Sequence, residues 1–170
     1  MNLSALCRFL LLLAFLGGHA QLVRAADKPI HGRVVGVRDG DTITILTDEK
    51  AQMKIRLEGI DAPELKQPFG QKSKAGLSAL LFGKDVIISN RGKHRYKRTL
   101  GRVSCGATDV NLEMVRRGLA WRYDKYSKEA ALAGAQAAAK DERAGLWQDD
   151  APVPPWEWRV SKRPVRAPSN

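Results

Sequence analysis

The feature that most constrains this chain is a period-two alternation of apolar and polar residues between residues 30 and 58. Ile43 and Ile45 alternate with Thr42 and Thr44, and Met53, Ile55 and Leu57 alternate with Lys54, Arg56 and Glu58. A period of two places one set of side chains on each face of a strand, so the apolar set turns inward. Arg56 belongs to the opposite set and is expected to face solvent or a cleft. The two runs are separated by a polar turn at Asp48-Glu49-Lys50. Upstream, Val34, Val35 and Val37 lead into Arg38-Asp39-Gly40-Asp41, whose Asp-Gly pair is a turn signal. Three antiparallel strands follow from this pattern.

The rest of the chain changes period. Pro63 restricts the backbone before it and ends strand geometry. A helix is expected from about Pro68 to Leu81, with Leu77, Leu80 and Leu81 on one side and Gly83 as its stop. Val86-Ile87-Ile88 reads as a fourth strand, residues 91–98 as a basic connection, and Leu100 to Ser104 as a fifth strand. A short helix is expected over Asp109 to Arg117. An Ala-rich one, with Ser127 able to cap it, is expected to reach about Arg143, before Gly145. Five strands interleaved with three α-helices indicate an α+β domain, and a five-stranded β-barrel of the oligonucleotide/oligosaccharide-binding (OB) type fits.

The two ends are expected to lie outside this domain, which then spans residues 26–150. Arg8 precedes a short apolar run, Phe9 to Leu16, and small residues follow, with candidate cleavage after Ala25 or Ala20. This pattern reads as a secretory signal peptide over residues 1–25, hence a secreted or periplasmic protein; an uncleaved anchor is the alternative. Residues 151–170 are expected to form a Pro-rich basic tail, partly disordered. Pro152, Pro154, Pro155 and Pro164 argue against regular structure there, while Trp156 and Trp158 are positioned to pin its first part.

The chain of 170 residues carries 29 Lys+Arg against 18 Asp+Glu, a formal net charge of +11. Signal cleavage after Ala25 would remove only Arg8 and Arg24, so the basic character belongs to the domain. It points to a polyanionic partner. Cys7 would leave with the signal, so Cys105 forms no intramolecular disulfide, and without Cys or His at ligand spacing it argues against zinc. It is expected to be a small buried apolar residue.

Two segments carry the chemistry: Gly40-Asp41-Thr42 and Arg56-Leu57-Glu58-Gly59-Ile60-Asp61-Ala62-Pro63-Glu64. Carboxylate oxygens suit a hard cation such as calcium or magnesium. An arginine beside them suits phosphate, because its rigid fork matches phosphate oxygens. Taken singly, each residue has a plainer account: Asp39-Gly40-Asp41 as a turn, Asp61 and Glu64 as solvated loop acids, and Arg56 as a surface residue. His31 and His94 have no partner pattern.

The chain resembles the staphylococcal nuclease-like (thermonuclease) family. The resemblance runs from about Gly32 to Trp147. It rests on the order and spacing of Val37 to Thr42, Arg56 to Glu64, Arg95 to Gly101, Val110 to Ala120, and Gly145-Leu146-Trp147. It implies an OB-type barrel with three helices and a secreted, calcium-dependent endonuclease. Such an enzyme would hydrolyse DNA and RNA with little sequence preference, leaving 3'-phosphate ends. It further implies that Asp41, Asp61 and the backbone carbonyl of Ala62 hold Ca2+, and that Glu64 handles the attacking water. Arg56 and Arg98 would be the phosphate arginines, and Tyr96, Trp121 and Tyr123 the nucleotide-pocket residues. Around the second arginine the chain departs from the family, which commonly has Asp-x-Tyr-Gly-Arg. Here His94 replaces the aspartate and Lys97 the glycine, which would cost roughly 1–2 kcal/mol if that backbone is left-handed. Arg95 and Arg102 are therefore substitutes to consider for Arg98. A monomer is the default. The alternative function is a non-catalytic OB-type nucleic-acid binder. A basic surface protein whose tail binds anionic polymers is a third, and it leaves the site residues unexplained.

Overall fold

The computed structural model describes residues 28–94 and 98–162, and no side chain from 90 to 98. Residues 1–27, where a signal peptide is expected, Arg95, Tyr96, Lys97 and the tail beyond residue 162 lie outside the described residues.

The alternating segments form β1 (Ile30–Val37), β2 (Thr42–Thr47) and β3 (Gln52–Leu57), a continuous antiparallel meander. β5 (Asp85–His94) pairs with the other edge of β1, and β6 (Arg98–Cys105) pairs antiparallel with β5. The sheet closes because β6 also pairs parallel with β3, with Ile55 opposite Thr99 and Arg56 opposite Leu100. This is the expected five-stranded OB-type barrel, and closure removes the open edges a flat sheet would expose. Residues 91–94, expected in a basic connection, instead extend β5. Beside the barrel, β7 (Thr108–Asp109) adds to β6, while β4 (Ile60–Asp61) and β8 (Trp121–Arg122) form a two-stranded ribbon.

The alternation has the predicted outcome inside the barrel. Val34, Ile43, Ile45, Ile55, Leu57, Ile88 and Val103 are buried together. Helix α1 (Gly70–Leu81) adds Leu77 and Leu81 to that core. Helix α2 (Val110–Arg116) adds Val110, Met114 and Val115, and helix α3 (Ala130–Asp141) adds Leu132. Asp109 caps α2 by accepting a hydrogen bond from the Leu112 N–H at 3.1 Å. Cys105 is half-buried against the core rather than enclosed.

The tail differs from its sequence expectation. Residues Pro155–Ser161 form a fourth helix, α4. Proline at the first helical position removes an N–H that would have no partner there and presets the backbone angle, so Pro155 starts this helix. Pro154 and Pro155 thus begin a helix instead of preventing one.

One polar side chain joins the barrel to its helices. Asn111 is fully buried; its amide donates to the Glu58 carbonyl at 2.8 Å, and its carbonyl oxygen accepts from the Val103 N–H at 3.0 Å. Replacing it with alanine removes both bonds and takes the side-chain acceptor from the buried Val103 N–H. Asn111→Ala is expected to lower stability by about 2 kcal/mol, read as a lower urea midpoint at unchanged slope; an unchanged midpoint would show that these bonds are replaced by water.

Candidate active site

The site forms where the β1–β2 turn, β3 and the β4 turn meet. Gly40 makes this approach possible: a Cβ there would lie 1.9 Å from the Ser73 hydroxyl and 2.7 Å from the Ala62 Cβ. Only glycine lets α1 and the segment after β4 close over the turn. Asp41 follows directly and is 2 % exposed; Asp61, at the end of β4, is 0 % exposed. The Ala62 N–H donates to Asp41 Oδ2 at 2.9 Å, tying the two acidic segments together.

Arg56 spans both acids. Its Nη1 donates to Asp41 Oδ1 at 2.6 Å and its Nη2 to Asp61 Oδ1 at 2.7 Å. The strand alternation that buries Ile55 and Leu57 therefore aims Arg56 at this cleft, as expected. Burial opposes the Arg56 charge, but Asp41 and Asp61 outweigh it and raise its pKa above the ordinary value. For Asp41 the balance goes the other way. Burial pushes its carboxyl up to about 7 against the pull of Arg56, with Asp39 and Asp61 adding like charge.

A second arginine enters from the tail. Arg159 on α4 donates through Nη2 to Asp61 Oδ2 at 2.6 Å and through Nη1 to Glu64 Oε1 at 2.9 Å. Burial works against its charge, but the bonds to Asp61 and Glu64 hold its pKa above the ordinary arginine value. Gln67 makes a second link from the Glu64 turn to the tail: it accepts from the Glu64 N–H at 3.1 Å and donates to the Val153 carbonyl at 2.7 Å. The sequence reading missed Arg159. The available signal was Pro154-Pro155-Trp156-Glu157-Trp158-Arg159, a helix start followed by aromatic anchors and a cation.

Asp41, Arg56, Asp61 and Glu64 are thus brought together. The side chain of Arg98 is not described, but β6 begins there, one residue before Thr99, which sits opposite Ile55 on the strand carrying Arg56. Arg102, considered as its substitute, is committed elsewhere, to Asp109 and Glu129. Trp121 packs edge-on against Trp147 at 4.2 Å and Trp156 at 5.7 Å in a buried aromatic cluster. Tyr123 is stacked on Trp156, with centroids 5.3 Å apart and planes at 3°.

The donor set fits a hard cation: two buried carboxylates, Asp41 and Asp61, are held side by side, with oxygen ligands of the type calcium and magnesium take. Among the described residues no three His, Cys, Asp or Glu side chains form a ready metal cluster. The outer oxygen of Asp61 and Oε1 of Glu64 face the Arg159 guanidinium.

Comparison with known proteins settles the family. The model of the staphylococcal nuclease homologue family matches residues 54–149. The chain belongs to that family. It is 47 % identical over 131 residues to an uncharacterized endonuclease of Haemophilus influenzae, covering 77 % of this chain and 74 % of the relative. It is 37 % identical over 143 residues to a micrococcal nuclease of Shigella flexneri, covering 78 % and 82 %. It is also 39 % identical over 112 residues to the staphylococcal-like nuclease CAN1 of Arabidopsis thaliana, covering 66 % of this chain and 35 % of the relative.

The raised Asp41 pKa has a consequence for stability. A carboxyl whose folded pKa lies near 7, against 3.8 ordinarily, binds its proton more tightly when folded. The stability this contributes is complete below about pH 4 and is lost as pH rises toward 7. In chelator, Asp41→Asn, which does not titrate, should gain in melting temperature relative to the parent between pH 4 and pH 7.5. A constant difference across that range would show that Asp41 does not titrate there.

Proposed function

We propose that this protein is a secreted, calcium-dependent endonuclease that hydrolyses phosphodiester bonds of DNA and RNA with little sequence preference, leaving 3'-phosphate ends. Membership of the staphylococcal nuclease homologue family and the nuclease-named relatives support nuclease activity. The observation that carries the reading is Arg56 bridging two buried carboxylates within reach of the turn that bears Glu64. Export rests on the signal-like N-terminal segment; among the described residues no helix is long and apolar enough to cross a membrane.

In this mechanism Asp41, Asp61 and the Ala62 carbonyl would hold calcium, which would supply positive charge beside a phosphate oxygen. Glu64, whose side chain is 43 % exposed, accepts a proton from the attacking water. The water oxygen bonds to phosphorus, the bond from phosphorus to the 5' oxygen breaks, and that oxygen takes up a proton from solvent to leave as a hydroxyl, while Glu64 returns its proton to solvent. Arg56 contributes in two ways. It orients both acids through its two terminal nitrogens and retains further N–H donors for the phosphate. Arg98 supplies the second phosphate contact, and Tyr96, Trp121 and Tyr123 contribute to nucleotide binding, with Trp156 lying on Tyr123.

Glu64→Gln tests this reading. It keeps the shape of the side chain and removes its basicity, so turnover on single-stranded DNA should fall by about 10²–10⁴ while the melting temperature stays within a few degrees. Arg56→Lys should also be damaging, because an ammonium cannot span two carboxylates and a phosphate, with a loss on the order of 10²-fold or more. Near-parental turnover in Glu64→Gln would remove Glu64 from the mechanism. Binding without cleavage by the parent protein in calcium would favour the non-catalytic binder.

A further inference from the structure

The helix that delivers Arg159 also builds the wall of a groove. An open depression of about 560 Å³ is lined by Arg38, Asp39, Glu64, Lys66, Trp158, Arg159 and Lys162, with Leu65 beside them. It therefore runs from the proposed catalytic acid outward along α4. Four cationic residues line it against two acids, and both acids already have arginine partners. Glu64 pairs with Arg159, and Asp39 lies 3.8 Å from Arg38. Lys66 and Lys162 form no ion pair among the described residues, and the Lys162 ammonium rests over the Trp158 ring, 4.7 Å from its centre. The Arg38 side chain is 64 % exposed.

Exposed cations without carboxylate partners along an open channel are free to meet a polyanion. An aromatic wall beside them suits a chain of stacked bases and phosphates. The helix is not a loose appendage that happens to lie near. Pro155 is buried, Trp156 is stacked on Tyr123, Gln67 holds the Val153 carbonyl, and Arg159 joins the helix to Asp61 and Glu64. Groove and site are one continuous surface, fixed by four independent contacts.

We infer that α4 completes the nucleic-acid cleft, and that the groove of Arg38, Lys66 and Lys162 binds the backbone phosphates of the substrate strand next to the bond cut at Glu64. This rests on the nuclease reading and extends it: the strand's path outside the reacting phosphate is set by a helix that lies beyond residues 54–149, the span of the family match.

The test uses the full chain carrying Arg38→Gln, Lys66→Gln and Lys162→Gln together, none of which touches the acids Asp41 and Asp61. A fluorescent single-stranded oligonucleotide is titrated in chelator at several salt concentrations, and cleavage of long single-stranded DNA is followed in calcium. Three lost phosphate contacts should reduce the slope of log affinity against log salt by about 2. In cleavage, KM should rise about tenfold near 150 mM salt with kcat nearly unchanged. A parental salt slope and KM would overturn the groove assignment while leaving the nuclease reading intact. Tighter binding or faster cleavage by the variant would also overturn it, because the helix would then obstruct the strand. Failure of the parent protein itself to bind or cut would count against the nuclease reading instead.

Discussion

The bridge from Arg56 to Asp41 and Asp61 is the interaction on which the site depends. Two carboxylates this deeply buried repel each other and lose their hydration, and neither is tolerable without a positive partner. Arg56 provides it from β3, at 2.6 and 2.7 Å. The barrel supplies the precision. β3 is held on one side by β2 and on the other by β6, so the arginine has a fixed origin. Gly40 lets the turn carrying Asp41 close against α1, and the two-residue pairing of Ile60–Asp61 with Trp121–Arg122 fixes Asp61. A site of this kind is built by backbone topology first and by charge second.

Balanced charge explains the tail. Arg56 satisfies the inner oxygens of the acids, which leaves Asp61 Oδ2 and Glu64 Oε1 on the outer side, and Arg159 meets both. The same helix brings Trp156 onto Tyr123, so it engages both the acidic centre and the aromatic surface next to it. Its partners lie more than ninety residues away in sequence for the ion pairs, and such a contact holds the helix over residues 155–161 in place together with Pro155 and Gln67.

Much of the barrel was legible in the sequence because its signal is local. The alternation around Ile43, Ile45, Ile55 and Leu57 is the pleat itself, and the turn residues between the runs specify antiparallel pairing. The gathering of Asp41, Arg56 and Asp61 followed from that alternation joined to the family resemblance. The parallel closure of β3 on β6 carries no local signal, since it is a long-range pairing. Arg159 was illegible for a related reason: its function is set by where α4 docks, and the tail prolines read as breakers when Pro154 and Pro155 mark a helix start. Trp121 and Tyr123 show the limit of residue type. The resemblance implies a pocket role for both, yet Trp121 is only 9 % exposed, and what covers them comes from Trp147 and Trp156.

The central claim is that the buried acids bridged by Arg56 form a calcium-dependent phosphodiester-cleaving centre. It is tested most directly by incubating the purified protein with single-stranded DNA in calcium, then in excess chelator, and determining the end groups of the products. Cleavage in calcium alone, with products ending in 3'-phosphates, is the predicted result. Undiminished cleavage in chelator, or an intact strand in calcium, would contradict it.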